Sequence, residues 1–93
     1  MSNKIIKFGA EWCGPCKAMK PQIEKFKEMI NESNVEVLDV DVDAEESADM
    51  AREYGVRSIP FTVFLKDGKV EKTMSGLKSS SDLFQAYQEI YQN

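Results

Sequence analysis

Two cysteines separated by two residues are the feature that most limits what this chain can fold into. They lie in the stretch Trp12-Cys13-Gly14-Pro15-Cys16, between a short apolar segment and the start of a helical pattern. Gly9 ends the apolar segment, and Pro15 suits a first helical turn, where its missing N–H is not needed. The pair is therefore predicted to lie where a strand meets a helix.

That position assigns different chemistry to the two thiols. A cysteine at a helix N-terminus faces unpaired backbone N–H groups and the positive end of the helix dipole. Both favour the thiolate, so the pKa of Cys13 is predicted to lie below the free value of about 8.5. Cys16 lies one turn further in and is predicted to be more buried. Cys13 is therefore the candidate nucleophile, and Cys16 the candidate resolving thiol.

The same spacing also occurs in zinc sites and in structural disulfides. The chain has two cysteines and no histidine, so it lacks the four ligands of a structural zinc site. A disulfide across so small a loop would constrain the unfolded chain little. The lack of histidine also excludes every mechanism that needs an imidazole base. A catalytic cysteine pair is the reading that these observations favour.

Length and composition exclude several other classes of function. The 93 residues suffice for one domain, predicted over 1–93. A net charge of -4 argues against general nucleic-acid binding, which normally shows a basic face. No apolar run approaches the roughly 18 residues of a membrane span. The first eight residues also lack a signal-peptide pattern, so we expect a cytoplasmic protein with no membrane partner.

The apolar pattern predicts seven elements in the order β-α-β-α-β-β-α. The strands are predicted over 4–8, 35–42, 61–65 and 70–74, and the helices over 14–30, over 45–54 and from a Ser79/Asp82 capping box to Tyr91. Pro21 is expected to kink the first helix. The apolar phase of the second strand slips once, which predicts a bulge or a change of the buried face.

These elements predict an α/β fold. The first β-α-β unit should be a right-handed parallel crossover. Asp67-Gly68 is a hairpin signal, so the last two strands should be antiparallel, with the final strand at an edge. Together they give a four-stranded mixed sheet with helices on both faces.

The chain resembles the thioredoxin family over nearly its whole length. The matching residues are Phe8-x-Ala10-Glu11-Trp12-Cys13-Gly14-Pro15-Cys16-Lys17, Pro21, Tyr54-Gly55-Val56-Arg57-Ser58-Ile59-Pro60, Lys66-Asp67-Gly68 and Gly76. The resemblance implies a minimal thioredoxin fold. It also implies that the protein reduces protein disulfides through a redox-active Cys13–Cys16 disulfide, with no other cofactor and no metal.

The resemblance further implies how substrates dock. In the family, the proline that matches Pro60 is cis and packs beside the cysteine pair. The backbone of Ile59 would then offer strand-like hydrogen bonds to an extended substrate segment. The implied docking surface consists of Trp12, Gly14, Pro15, Ile59, Pro60 and Gly76. From composition alone, Pro60 could equally be a trans loop proline and Trp12 a core aromatic residue.

The chain departs from the family pattern in three places. Family members of usual length begin with an extra strand and helix, whereas this chain begins at the strand leading to Cys13. Phe61 stands where threonine is usual, and Ser75 stands where a small apolar residue is common. The last two differences lie at the implied docking surface and would change which partners dock.

A further departure, at Lys7, bears on mechanism. The family usually has a buried Asp at this strand position, paired with a Lys on the neighbouring strand, which helps to move a proton from the inner cysteine. Here the strand carries Lys7, and the neighbouring position aligns with Asp39. We hypothesise a swapped proton-relay pair beneath the active site, because a lone buried charge would be costly. The alternative is that Lys7 reaches solvent along its alkyl stem.

Three functions remain open at this point. The first is a general protein-disulfide reductase, recycled by a flavin thioredoxin reductase or by glutathione, since the chain has no nucleotide-binding glycine motif. The second is a dedicated electron donor for one enzyme, such as ribonucleotide reductase or a peroxiredoxin. The third is a binding or assembly subunit, against which the intact cysteine motif argues. A monomer is expected in each case.

Overall fold

The computed structural model describes residues 3–31 and 33–92, which form one sheet flanked by helices. The strands are β1 (Lys4–Gly9), β2 (Glu36–Asp41), β3 (Phe61–Lys66) and β4 (Lys69–Ser75). The helices are α1 (Gly14–Met29), α2 (Ala48–Glu53) and α3 (Ser80–Tyr91), and a 3₁₀ turn, Glu45–Ser47, precedes α2. The predicted element order is confirmed.

The sheet has the strand order β2-β1-β3-β4. β1 pairs parallel with β2 and antiparallel with β3, and β3 pairs antiparallel with β4. Asp67 and Gly68 connect β3 to β4 with φ angles of 53° and 82°. Two successive positive φ angles match the right-handed twist of a hairpin, which explains the Asp-Gly pair. The predicted mixed sheet and edge strand β4 are confirmed.

Apolar side chains cover both faces of the sheet. Because alternate residues of a strand point to opposite faces, Ile5 and Ile6 pack into different clusters. On the face of Ile5, α1 and α3 contribute Met19, Ile23, Phe26, Leu83 and Tyr87. On the face of Ile6, α2 and its flanking loops contribute Met50, Ala51, Tyr54 and Val56. Helices therefore lie on both faces, as predicted.

Along β2, the apolar residues change from one face of the sheet to the other, and the strand has no bulge. The β1–β2 register continues without a shift from one end of the pairing to the other. Val37 packs against the α1 and α3 side, whereas Leu38 and Val40 pack against the α2 side. The register shift in this sheet falls instead between Phe64 and Leu65, in the β3–β4 pairing. Of the two alternatives predicted for the second strand, the change of buried face is therefore observed and the bulge is not.

Two helices differ in detail from their predictions. The predicted helix over 45–54 divides into the 3₁₀ turn and α2, and neither part has a side-chain hydrogen bond at its N-cap. Without such a cap, 3₁₀-type bonds satisfy the backbone groups of a first turn. Helix α1 continues through Pro21. The kink expected at Pro21 stays a prediction.

The predicted capping box of α3 is present. The Asp82 N–H donates to the Ser79 hydroxyl, and the Ser79 N–H donates to the Asp82 carboxylate, both at 3.1 Å. Hydrogen bonding to the Asp82 carboxylate by the Ser79 backbone N–H, with a smaller effect from the Ser79 side chain, lowers the pKa of Asp82.

Tyr91 joins the end of α3 to the sheet. Its hydroxyl lies 2.7 Å from the carbonyl oxygen of Leu65 and 3.2 Å from that of Lys4. Burial, with a smaller effect from the Glu71 carboxylate, raises the pKa of Tyr91 to about 12. The fold therefore holds the neutral phenol, which is the form that can donate a hydrogen bond.

We predict that Tyr91→Phe lowers the free energy of unfolding at neutral pH by about 1 kcal/mol, because it removes this hydrogen bond. The folded-state pKa of Tyr91 lies above its unfolded value of about 10. Its contribution is therefore complete below that pH and is lost as the pH rises toward 12. Denaturant titrations of both proteins should show their stability difference shrinking across this window. A difference that stays constant with pH would contradict the prediction.

Candidate active site

The cysteine pair lies at the junction of β1 and α1. After β1 ends at Gly9, a turn closed by the Cys13 N–H on the Ala10 carbonyl (3.2 Å) brings Cys13 to the N-cap of α1. Pro15 occupies the first turn of the helix. Cys13 and Cys16 form a disulfide, and their Cα atoms lie 5.2 Å apart. The predicted strand-to-helix position is therefore observed.

The surroundings of the two sulfurs differ. The Cys13 sulfur accepts the backbone N–H of Cys16 at 3.2 Å, so this side chain is itself the cap of α1. Cys13 is 6% exposed and Cys16 is 1% exposed. An N–H group directed at the Cys13 sulfur at a helix N-terminus stabilises negative charge on that atom. Solvent reaches the disulfide on the Cys13 side.

The loop before β3 packs against the disulfide. The Ile59–Pro60 peptide bond is cis, as the family resemblance implies. The carbonyl oxygen of Ile59 lies 3.9 Å from the Cys13 sulfur. The carbonyl oxygen of Pro60 accepts the N–H of Gly76 at 2.8 Å, which ties the loop to the end of β4. Gly76 has a φ of 88°, which glycine adopts without steric cost.

The residues of the implied docking surface lie at different depths. Trp12 is 70% exposed, so it is not a core aromatic residue, and Gly14 and Pro15 beside it are also exposed. Ile59 and Gly76 are partly exposed. Pro60 is buried and lies below the surface. Its position suits support of the Ile59 backbone more than direct contact with a partner.

Sequence reasoning missed Asp43, which holds the indole ring of Trp12. The Trp12 N–H donates to the Asp43 carboxylate at 2.6 Å. Asp43 follows β2, and the carboxyl ends of the parallel strands β1 and β2 meet at one edge of the sheet. That topology was the available signal for this contact. The indole lines a shallow cleft of about 230 Å³ with Val42, Ala51, Val56, Arg57, Ser58 and Ile59.

Lys7 lies buried beneath the disulfide. It is 1% exposed, and its ammonium lies 3.2 Å from an Asp39 carboxylate oxygen and 3.4 Å from the Cys16 carbonyl oxygen. The β1–β2 register places Lys7 directly opposite Asp39. Lys20, on α1, approaches the other Asp39 oxygen at 3.5 Å. The alternative in which Lys7 reaches solvent therefore does not hold, and the proton-relay role stays a prediction.

Gly9 permits the close approach of these groups. A Cβ atom at Gly9 would lie 3.1 Å from the Lys7 ammonium nitrogen and 3.2 Å from the Cys16 sulfur. Both distances are shorter than ordinary van der Waals contact, so a side chain here would displace one neighbour. The ammonium and the sulfur thus both lie close to Gly9, and a methyl group there would crowd both.

Across residues 3–31 and 33–92, no group of three or more His, Cys, Asp or Glu residues is placed to hold a metal ion. Both cysteines are in the disulfide. No helix in the described part of the chain is long and apolar enough to cross a bilayer.

The fold and the disulfide together define the class of this protein, which is a thioredoxin-fold protein with a redox-active cysteine pair at a helix N-terminus. The family model described as Thioredoxin matches residues 1–89. The chain belongs to the thioredoxin family, and it is a thiol–disulfide oxidoreductase.

Known relatives support this assignment. The chain is 40% identical over 79 residues to a thioredoxin of Bacillus subtilis, covering 85% of this chain and 73% of the relative. It is 37% identical over 79 residues to a thioredoxin of Rickettsia felis, covering 85% and 72%. Mitochondrial thioredoxin 3 of Saccharomyces cerevisiae superposes with a TM-score of 0.82 at 32% identity, covering 96% of this chain and 79% of that structure. Thioredoxin-2 of a malaria parasite gives 0.84 at 26% identity, covering 95% and 82%.

We predict that Asp43→Ala frees the indole ring of Trp12. Trp12 is the single tryptophan, so its fluorescence reports on this position alone. Loss of the carboxylate acceptor should lower fluorescence anisotropy and increase quenching by acrylamide. Glu45→Ala removes a nearby exposed carboxylate that does not bond to the indole, and it should behave like the wild type. Equal quenching in all three proteins would show that Asp43 does not hold the ring.

Proposed function

We propose that the protein reduces disulfides in other proteins, with Cys13 as the nucleophile and Cys16 as the resolving thiol. The observation that carries this proposal is the hydrogen bond from the Cys16 N–H to the Cys13 sulfur at the N-terminus of α1. The same N–H would stabilise the Cys13 thiolate in the reduced protein. Cys16 is buried on the inner face of α1, where a substrate disulfide cannot reach it first.

The exchange takes place in two steps. The Cys13 thiolate attacks one sulfur of the substrate disulfide, a Cys13–substrate disulfide forms, and the other substrate sulfur leaves as a thiolate and takes up a proton. The Cys16 thiolate then attacks the Cys13 sulfur, and the second substrate thiol is released. Two electrons and two protons pass from the dithiol to the substrate. The product is the Cys13–Cys16 disulfide of this structure.

We propose that an extended substrate segment docks beside this disulfide. The Ile59 backbone, 3.9 Å from the Cys13 sulfur at its carbonyl oxygen, is placed to pair with such a segment as a strand would. Exposed Trp12 supplies a large apolar surface on the other side of Cys13. Gly14, Pro15 and Gly76 complete the surface, and Pro60 supports it from below.

The redox-active disulfide is proposed as the protein's redox group, without a further cofactor. A thioredoxin reductase or the glutathione system would return it to the dithiol form. We place this activity in the cytoplasm and in a one-domain monomer, with disulfide-containing proteins as substrates and with no role for nucleic acid or membrane.

A second candidate is a dedicated electron donor for one enzyme, such as ribonucleotide reductase. The observation in its favour is that the two departures from the family pattern at the docking surface, Phe61 and Ser75, are neighbours. Phe61 and Ser75 are paired across β3 and β4, next to Pro60 and Gly76. Both changes therefore alter one part of the proposed docking surface. A narrower choice of partner follows if that part contacts the substrate.

We predict that the wild-type protein accelerates the reduction of insulin disulfides by dithiothreitol, and that Cys13→Ser reduces the rate to that of dithiothreitol alone. Cys16→Ser is the matched control, because it keeps the nucleophile and loses the resolving thiol. It should lose turnover but form a stable mixed disulfide with insulin, seen as a mass adduct at Cys13. Cys13→Ser should form no such adduct.

Two outcomes would change the proposal. If the wild type gives no catalysis above dithiothreitol alone, general protein-disulfide reduction is excluded. The second candidate, a dedicated electron donor for one enzyme, is then the function to test. If Cys13→Ser keeps the wild-type rate, Cys13 is not the nucleophile.

A further inference from the structure

Lys7 is a cation sealed in the layer between the sheet and α1, at 1% exposure. Burial of an ammonium group is costly unless charged and polar partners compensate for the lost water. Here Asp39 provides a carboxylate oxygen at 3.2 Å and Cys16 its carbonyl oxygen at 3.4 Å. The carbonyl contact places the ammonium next to the inner cysteine of the active site.

The charges around Lys7 do not cancel. The Asp39 carboxylate is shared with a second ammonium, that of Lys20, at 3.5 Å. The Asp39 side chain is 33% exposed and that of Lys20 is 57% exposed, so solvent screens both more than it screens Lys7. On the other side, β3 presents the uncharged hydroxyl of Thr62 opposite Lys7. The net charge nearest Cys16 is therefore positive.

A polar cleft of about 300 Å³ meets this pair from the side of β2. Glu11 and Asp41 line it together with Asp39, Lys20 and Lys7. The acidic groups thus lie toward solvent, where their charges are screened. The cleft also leaves the Asp39 end of the pair open to solvent.

Cys16 is not among the residues that line this cleft. Its sulfur and the Lys7 nitrogen both lie close to Gly9, at 3.2 and 3.1 Å from the position of a Cβ atom there, so the ammonium and the sulfur are neighbours. At such short range in a buried site, an ammonium strongly favours an anionic neighbour.

We propose that the Lys7 ammonium ionises the resolving thiol, stabilising the Cys16 thiolate by its charge rather than by accepting its proton. The Asp39 carboxylate holds the Lys7 ammonium in place, and the Cys16 proton is released to solvent. The Cys16 sulfur then attacks the Cys13 sulfur. A Cys13–Cys16 bond forms, the Cys13–substrate bond breaks, and the substrate thiolate takes a proton from solvent. This inference rests on the proposed role of Cys16 as the resolving thiol.

The charge mechanism and a carboxylate relay make opposite predictions for Asp39. If the Asp39 carboxylate accepts the Cys16 proton, removing it slows the attack of Cys16 on the mixed disulfide. If the positive charge of Lys7 stabilises the Cys16 thiolate instead, removing the Asp39 carboxylate leaves the ammonium unopposed and makes that thiolate more stable.

Titration of Cys16 alone tests the charge directly. The chain has two cysteines, so the Cys13→Ser protein holds Cys16 as its single thiol, and ultraviolet absorbance of the thiolate follows it. In that background, Lys7→Met should lower the acid dissociation constant of Cys16 about tenfold or more. Lys7→Arg should restore most of it, and Asp39→Asn should raise it. Lys25→Met is the matched control, because it removes an exposed ammonium of α1 that does not pair with Asp39, and it should change little.

Gly9→Ala tests the same contact while it keeps every charge. The added methyl group would lie 3.1 Å from the Lys7 nitrogen and 3.2 Å from both the Cβ and the sulfur of Cys16, and the flexible ammonium is the group that can move away. The dissociation constant of Cys16 should fall, as it does in Lys7→Met. This variant decides the question if Lys7→Met does not fold.

Rapid mixing of the reduced two-cysteine protein with an aromatic disulfide, whose released thiol is coloured, separates the two steps. The first thiol released reports attack by Cys13, and the second reports resolution by Cys16. Lys7→Met should slow only the second phase, about threefold or more, because a smaller fraction of Cys16 is thiolate. The slowing is less than the change in the dissociation constant, because a thiolate of higher pKa is intrinsically more nucleophilic. Asp39→Asn should not slow it.

An unchanged Cys16 titration in Lys7→Met, or in Gly9→Ala where Lys7→Met does not fold, would overturn the proposal. Slowing of the second phase by Asp39→Asn would assign the proton to the carboxylate instead. The titration needs no disulfide exchange, so a failure of insulin reduction by the wild type remains a separate result.

Discussion

The hydrogen bond from the Cys16 N–H to the Cys13 sulfur is the contact on which the chemistry of this protein depends. A helix leaves its first N–H groups without partners, and here one of them is satisfied by a sulfur atom and not by a hydroxyl or carboxylate oxygen. The atom that caps α1 is therefore also the proposed nucleophile. Because Cys16 lies one turn later on the buried face of α1, Cys13 is 6% exposed and Cys16 is 1% exposed.

The sheet supplies the surroundings of this helix end. Parallel pairing of β1 with β2 places Asp39 opposite Lys7 and brings Asp43, beyond the end of β2, to the indole ring of Trp12. Antiparallel pairing of β1 with β3 brings the Ile59–Pro60 loop to the same end of the sheet. A charged pair, an aromatic anchor and an extended backbone segment thus meet at one edge, although they come from distant parts of the chain. Gly9 leaves the space in which Lys7 and Cys16 approach each other.

The parts that could be predicted from the sequence are those with local signals. Asp67-Gly68, the Ser79 cap and the position of Cys13 before a helix each depend on a few adjacent residues. The pairing of Lys7 with Asp39 could be inferred from the family pattern, but its depth could not, since burial depends on how α1 packs over β1. The same holds for the bond between Trp12 and Asp43, which are 31 residues apart. Alternation along β2 also left open whether its apolar phase slips through a bulge or a change of buried face, because both give the same pattern.

The rates at which the two thiols of the reduced wild-type protein react with iodoacetamide test the central claim, that position in α1 divides the roles of the cysteines. Mass spectrometry of the peptides assigns each modification to Cys13 or Cys16 across a range of pH. We predict that Cys13 reacts first, and already at a pH where an ordinary thiol is mostly protonated, whereas Cys16 reacts slowly until the protein is unfolded. Modification of Cys16 as fast as that of Cys13, or a Cys13 profile like that of a free thiol, would contradict the account.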